Sequence, residues 1–132
     1  MRSILVVLMW SVLIGSVTAQ DKWLNIANSD ESSWDFQPKS LDEVSTRAGV
    51  DVAVVVGRVV NNKTKKIDLR KWYVSVSDCG RQMGSVVALD VNGNYQYEND
   101  FVFGSGTIAT ALAEAICSAY TYRVKNRNEK GI

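Results

Sequence analysis

The sequence predicts an α+β domain: an antiparallel meander sheet of about six strands, with a C-terminal helix packed on it and tied by one disulfide. Three observations lead to this fold class. Short runs of alternating apolar and polar residues recur along the chain and are separated by turns rich in Asn, Gly and Ser. A long helical segment lies near the C-terminus, from Thr107 to about Tyr122. The chain contains two cysteines, Cys79 and Cys117, and the second lies within that helical segment.

Residues 1–19 have the pattern of a cleaved signal peptide. A short, positively charged start is followed by an apolar run from Ile4 to Ile14, and small residues precede the expected cleavage point at Gln20. A membrane anchor is disfavoured because only 17 uncharged residues separate Arg2 from Gln20, whereas a spanning helix needs about 20. A lipid anchor would need a cysteine at the cleavage point, and Gln20 occupies that position. We therefore predict an exported protein that is periplasmic, secreted or located at the cell surface, with no membrane span and no lipid anchor.

After cleavage, about 113 residues remain, which is the usual size of one domain. We predict a single domain over residues 20–124 and a polar, flexible tail over residues 125–132. The full chain has 15 basic and 14 acidic residues, and loss of Arg2 with the signal peptide balances them. A neutral domain has no general attraction for nucleic acid or anionic membrane, so we predict neither as a partner.

The first predicted elements are two short strands. Residues 21–28 and residues 32–37 alternate apolar and polar side chains, which predicts a hairpin that ends at Pro38. Residues 39–48 are mostly polar and contain two apolar residues three positions apart. This spacing fits a helical turn started by Ser40 or, equally, a loop.

Two long strands are predicted in the middle of the chain. Gly49–Val60 is rich in valine and is predicted as a central strand, and Ile67–Cys79 follows after a polar, basic turn. The second strand alternates between a heavy side, which includes Trp72, and a light side, which includes Ser75. By this parity Cys79 falls on the light side. A disulfide to a helix on the heavy side then requires a bulge or bend near the strand end, whereas a helix on the light side requires none, and both arrangements stay open.

The last part of the chain is predicted to form a hairpin followed by the helix. Ser85–Val91 and Tyr95–Phe103 are alternating runs on either side of Asn-Gly-Asn, a sequence that favours a sharp turn. The helix follows, with Ser105 or Thr107 as its N-cap. Its apolar residues fall on one face at helical spacing, and its many alanines allow close approach to the sheet.

Cys79 and Cys117 are predicted to form a structural disulfide. In an exported chain, two cysteines pair most simply with each other because the compartment is oxidising. Free thiols or a redox pair are disfavoured, since the chain has no Cys-x-x-Cys motif and no His to assist a thiolate.

Catalytic and metal chemistry have little support in the sequence. The absence of His removes the usual Ser-His-Asp and Cys-His arrangements and the commonest metal ligand. A pair of carboxylates, as in glycosidases, is the remaining enzymatic alternative. The Gly-Ser-Gly-Thr segment before the helix resembles a phosphate cradle, but it lacks the Gly-Lys-Ser/Thr ending of a P-loop, which favours a plain turn. We predict a non-enzymatic protein without catalytic residues, metal or cofactor.

A basic run beside two aromatic residues is the best local candidate for partner binding. Clustered cations next to aromatic rings bind acidic protein segments or sulfated glycans. The alternative is a solubilising turn, in which lysines protect the sheet from edge-to-edge aggregation, and the tryptophan is also a candidate core residue. The candidate partner-binding residues are Lys63, Lys65, Lys66, Arg70, Lys71, Trp72 and Tyr73.

Four segments of the chain resemble the surface-adhesin protein E family of exported bacterial domains. They are Trp23-x-x-Ile26, Ser40-Leu41, the strand end Val76-Ser77-Asp78-Cys79, and the C-terminal helix Thr107–Tyr120 with Ile116-Cys117. The resemblance implies a small antiparallel sheet with a disulfide-tied helix, and a non-enzymatic surface or periplasmic domain that, in the best-known member, binds host extracellular-matrix and plasma proteins. The best-known member has a lipid-anchor cysteine, which this chain lacks.

These expectations combine into one functional hypothesis and one alternative. The hypothesis is an exported, adhesin-like domain that recognises a protein partner, such as a host matrix or plasma protein. The alternative is a periplasmic inhibitor or immunity protein that blocks an enzyme, a role for which small disulfide-tied sheet domains are well suited.

Overall fold

The computed structural model describes residues 22–130 and the side chains up to residue 127, so the predicted signal peptide at 1–19 lies outside the described residues. Six strands form one antiparallel sheet in which each strand pairs with the next along the chain, which confirms the predicted meander. The described chain also contains two helices. The elements are β1 (Leu24–Asn28), β2 (Ser32–Ser45), β3 (Asp51–Asn61), β4 (Ile67–Ser75), α1 (Val76–Arg81), β5 (Met83–Leu89), β6 (Tyr95–Val102) and α2 (Ile108–Lys130).

Helix α2 covers one face of the sheet, which we call the inner face. Trp72 and Val74 of β4 lie on this face and are 1% and 0% exposed, and they share one hydrophobic core with Ile116 of α2. The heavy side of β4 is therefore the side that α2 covers. The core consists of Phe36, Leu41, Ala53, Val55, Trp72, Val74, Val86, Ala88, Phe101, Leu112, Ala113, Ile116 and Cys117.

The strand predicted to end at Cys79 ends instead at Ser75, because the chain leaves the sheet there. Ser75 Oγ accepts a hydrogen bond from the Asp78 N–H at 3.1 Å and caps helix α1. Gln82, with a φ of 63°, ends that helix. Because side chains on a helix do not alternate between two sides, α1 turns Cys79 toward α2. The predicted disulfide to Cys117 is confirmed, with the two Cα atoms 5.5 Å apart.

Strand β2 extends beyond Pro38, where the sequence predicted its end. It runs to Ser45, so the helical turn or loop predicted over residues 39–48 is wrong for most of that segment. Proline is tolerated because the pairing of β2 with β3 is interrupted between Gln37 and Asp42. The missing proline N–H therefore costs no hydrogen bond between the strands.

The side chain of Ser40 replaces backbone pairing at this interruption. Its Oγ accepts a hydrogen bond from the Val56 N–H at 2.8 Å and donates one to the Gln37 carbonyl at 2.6 Å. We expect Ser40→Ala to lower the free energy of unfolding by about 1–3 kcal/mol, because a part-buried N–H loses its partner. Urea unfolding measures this change. The control Ser45→Ala, which removes an exposed hydrogen bond to Asp51, should cost less than about 0.5 kcal/mol. Equal costs would contradict the role given to Ser40.

The hairpin between β5 and β6 has the predicted Asn-Gly-Asn turn. The Asp90 N–H donates to the Asn94 carbonyl at 2.9 Å, and Gly93 has a φ of 90°, which a residue without Cβ adopts easily. The Asp90 carboxylate accepts hydrogen bonds from the backbone N–H groups of Asn92 and Asn94. The bond from the Asn94 backbone is the main reason that the pKa of Asp90 is lowered, since it stabilises the charged form.

Helix α2 is longer than the sequence predicted. It is capped by Thr107, one of the two predicted caps, whose Oγ1 accepts a hydrogen bond from the Thr110 N–H at 3.1 Å. It continues to Lys130 rather than ending near Tyr122, so most of the tail predicted as flexible over residues 125–132 is helical. Residues 123–130 contain neither proline nor glycine, so no stop signal interrupts the helix over this segment.

Candidate binding surface

The face of the sheet opposite α2, here called the outer face, carries exposed apolar side chains. Ile67 and Leu69 of β4 are 52% and 48% exposed. Lys71 and Tyr73 continue the same row, because side chains two positions apart on a strand point to the same face. On β3, Val56 lies directly across from Lys71. The hairpin formed by β3 and β4 therefore presents two aliphatic side chains to solvent next to a lysine and a tyrosine.

The turn between β3 and β4 places three lysines at the end of this row. Asn61 Oδ1 accepts hydrogen bonds from the backbone N–H groups of Lys63 and Thr64, at 2.9 and 3.0 Å, and these bonds hold the turn in shape. Lys63, Lys65 and Lys66 are exposed. None of them belongs to an ion pair in the described part of the chain. Their charges are therefore available to a partner.

These side chains form one surface, which we call the hairpin patch. It contains five of the seven residues that the sequence predicted as partner-binding, together with two that sequence reasoning missed. The missed residues are aliphatic, and their parity with Lys71 and Tyr73 is the signal that could have found them. The hairpin patch consists of Lys63, Lys65, Lys66, Ile67, Leu69, Lys71 and Tyr73.

The other two predicted residues, Arg70 and Trp72, lie on the inner face. Arg70 forms an ion pair with Asp68 and donates a hydrogen bond to the Tyr97 hydroxyl at 2.9 Å. Trp72 is buried in the core, so a partner cannot contact it without opening the domain. Side chains along β4 alternate between the two faces of the sheet. The basic and aromatic run, which is continuous in the sequence, is therefore split between the outer and the inner face.

Acidic side chains lie along one border of the outer face, on β6. Glu98 pairs across from Val87 of β5, and Asp100 pairs across from Ser85. The Tyr95 hydroxyl donates a hydrogen bond to Glu98 at 3.1 Å. Desolvation raises the pKa of Tyr95, and the bond to Glu98 raises it further, so this phenol stays neutral at ordinary pH. The outer face is thus basic at the hairpin turn and acidic along β6.

A compact polar cluster lies on the outer face beside β1. Arg58 Nε donates to the Asp35 carboxylate at 2.9 Å, and Asn25 Nδ2 donates to the same carboxylate at 2.9 Å. The Arg58 guanidinium carbon lies 4.4 Å from the centroid of the Trp23 ring. These contacts tie β1 to β2 and β3. Because its charge is compensated within the domain, Arg58 is not part of the hairpin patch.

Comparison with known proteins gives no match. No protein family, no characterised protein and no solved structure matches the chain. Among the described residues, no three or more Cys, Asp, Glu or His side chains come together as metal ligands. No helix in this part of the chain is long and apolar enough to cross a membrane. Function is therefore inferred from the hairpin patch.

Proposed function

We propose that this protein is an exported, non-enzymatic, adhesin-like domain that recognises a protein partner through the hairpin patch. One observation carries the proposal: exposed Ile67 and Leu69 lie on the same hairpin as three lysines that have no ion-pair partner in the described chain. Exposed apolar side chains rimmed by polar ones mark protein–protein contact surfaces. Two aliphatic side chains surrounded by cations fit a partner whose apolar side chains are flanked by acidic residues.

The location and the class of partner rest on further features. Residues 1–19 have the signal-peptide pattern, and Cys79 and Cys117 form a disulfide of the kind that persists in oxidising compartments. The resemblance to the surface-adhesin protein E family favours matrix or plasma proteins of a host as the partner. In the alternative, a periplasmic inhibitor or immunity protein would use the same patch against an enzyme.

Charge reversal in the turn tests the proposal. We expect the wild-type protein to bind at least one member of a panel of purified extracellular-matrix and plasma proteins, measured by surface plasmon resonance. Lys63→Glu, Lys65→Glu and Lys66→Glu together should weaken that binding by about tenfold or more, because attraction of an acidic partner becomes repulsion. Raising the salt concentration should weaken the wild-type interaction more than that of the triple variant.

A matched control separates the effect of changing the hairpin patch from the effect of changing the net charge of the protein. Lys22→Glu, Arg47→Glu and Lys125→Glu change the net charge equally at exposed positions outside the patch, and binding should stay within about twofold of wild type. Equal binding by the two triple variants would exclude the turn as the site. If no panel protein binds while periplasm or culture medium yields a stoichiometric enzyme, the inhibitor alternative replaces the adhesin-like role.

A further inference from the structure

A groove of about 1290 Å³ lies on the inner side of the domain, between β1, β2 and α2. It is open to solvent rather than enclosed, and most of its lining is apolar. It shares no residue with the hairpin patch, whose strand residues lie on the opposite face of the sheet. Its apolar lining includes Leu24, Ile26, Phe36, Leu41, Ala115 and Ala119.

The groove exists because α2 presents small side chains toward β1. Ala111, Ala115, Ser118 and Ala119 all line it and recur at the three- to four-residue spacing of one helix face. Such short side chains do not fill the space between helix and strand. Leu24 of β1, which also lines the groove, consequently remains 54% exposed. A second polypeptide can therefore approach α2 closely along this face.

One end of the groove is positively charged. Lys39, Arg123 and Arg127 line it, and Arg123 is held in place by a hydrogen bond to the Leu41 carbonyl. The carboxylate in the lining, Glu114, lies nearer the start of α2, where it accepts a hydrogen bond from the N–H of Gly104 at 3.0 Å. The cations are thus gathered near the C-terminal end of α2, away from that carboxylate.

Strand β1 forms the edge of the sheet beside this groove. It pairs with β2 on one side, and no strand of the described chain pairs with its other side. Its first residue, Leu24, pairs with Phe36 of β2, which lies three positions before Lys39. The Leu24 end of β1 is therefore the end nearer to the basic part of the groove. A strand added antiparallel to β1 would therefore run toward this basic end and finish there. The five residues of β1 span about 17 Å at about 3.4 Å per residue.

We propose that this groove binds the extended C-terminal segment of a partner protein, added to β1 as an antiparallel strand. Alternate side chains of the added strand are aliphatic and enter the groove, because side chains on a strand alternate between its two faces. The terminal carboxylate, or an acidic residue beside it, lies at Lys39 and Arg127. The added strand also supplies hydrogen-bond partners to the open edge of β1, as in other β-augmentation complexes.

A fatty acid or similar amphiphile has the same general chemistry, an apolar body with an anionic end, but fits less well. An acyl chain in an open groove would leave much of its surface in water. The hydrophobic contribution to binding would be reduced further by each methylene that stays exposed. It would also leave the N–H and C=O groups along the edge of β1 without a new partner. The open shape of the groove and the edge strand beside it therefore favour a peptide.

A displayed library of random octapeptides with free C-termini tests the proposal on the folded, oxidised protein. Selection should enrich alternating aliphatic residues and an acidic residue at or next to the C-terminus. Synthetic peptides with the enriched sequence should bind with 1:1 stoichiometry in isothermal titration calorimetry. Amidation of their C-terminus should weaken binding by about fivefold or more, because one charge-assisted contact is lost.

Two pairs of variants locate the binding. Ser118→Tyr fills the groove from an exposed position and should weaken binding by about tenfold or more, whereas Thr121→Tyr, on α2 but outside the lining, should not. Lys39→Glu with Arg127→Glu should weaken binding similarly. Arg47→Glu with Lys125→Glu makes the same charge change outside the groove and should have little effect.

The outcomes separate this proposal from the proposed function. The triple charge reversal at Lys63, Lys65 and Lys66 should leave peptide affinity unchanged, since those residues lie in the turn between β3 and β4 and none of them lines the groove. Failure to enrich any C-terminal consensus overturns the peptide proposal, as does a selected peptide whose affinity is unaffected by Ser118→Tyr. A 1:1 complex with oleate that Ser118→Tyr abolishes, together with no peptide consensus, would assign the groove to an amphiphile instead.

Discussion

Trp72→Ala is expected to lower the free energy of unfolding by about 3–5 kcal/mol, the usual cost of deleting a large buried aromatic side chain. Trp72 is the largest fully buried side chain in the described chain. Its ring lies against Gly57 of the neighbouring strand β3, so closely that a Cβ atom at position 57 would overlap the ring. Glycine at this position is therefore a packing requirement of the tryptophan.

The same contact is tested from the other side by Gly57→Ala. We expect a cost of about 1–3 kcal/mol in the wild-type protein, because the added methyl group would overlap a ring that packs in the core and would have to displace it. In a Trp72→Leu background the added methyl group has room, so the cost should fall below about 0.5 kcal/mol. These four proteins, the wild type, the two single variants and the double variant, form a double-mutant cycle. Urea unfolding followed by far-ultraviolet circular dichroism measures the stability of each and does not depend on tryptophan fluorescence.

Gly80→Ala is the matched control for this cycle. Apart from its chain neighbours and the backbone of its own helix α1, no atom lies within 4 Å of a Cβ added at Gly80, so alanine should be neutral or slightly stabilising there. If Gly57→Ala costs the same with tryptophan or leucine at position 72, the ring contact is not the reason for glycine at position 57.

Alternation predicted the sheet well because it reports which side of a strand is buried, and the meander follows from short turns between such runs. It failed at two places where the backbone changes course without a change in hydrophobicity. After Ser75 the residues still alternate, but a serine three positions before Asp78 caps a helix. At Pro38 a strand continues because Ser40 supplies a hydrogen bond that the backbone lacks there. In both places the course of the backbone depends on a hydrogen bond made by one serine side chain, and a pattern of apolar and polar residues does not reveal such a bond.

The candidate binding surfaces were predictable to different degrees. The lysine turn was visible in the sequence because its composition and its place between two strands are local features. The division between Lys71 and Arg70 follows from strand parity, yet a run of cations looks continuous until that parity is applied. The groove was not predictable, because it depends on how far α2 extends past Tyr122. The alanines of α2 indicated close packing on the sheet, whereas several of them line open space beside β1.

Reduction of the disulfide between Cys79 and Cys117 is expected to lower the free energy of unfolding by about 4 kcal/mol. The cysteines are 38 residues apart, and closing a loop of that length removes this much conformational freedom from the unfolded chain. The loss is a large part of the roughly 5–15 kcal/mol that stabilises a domain of this kind. Urea unfolding of the oxidised and reduced protein measures it. A difference below about 1 kcal/mol would mean that packing alone holds α2 on the sheet.

The disulfide also acts on the folded state, and hydrogen exchange separates this effect from the one on the unfolded chain. Helix α1 has six residues, too few to be stable alone, and Cys79 fastens it to α2. Reduction should therefore accelerate exchange of the α1 amides more than that of the β3 amides, which lie in the centre of the sheet. Cys79→Ala with Cys117→Ala should match the reduced protein within about 1 kcal/mol and should not respond to reductant. Uniform acceleration across both elements would show that the disulfide stabilises the domain only through its unfolded state.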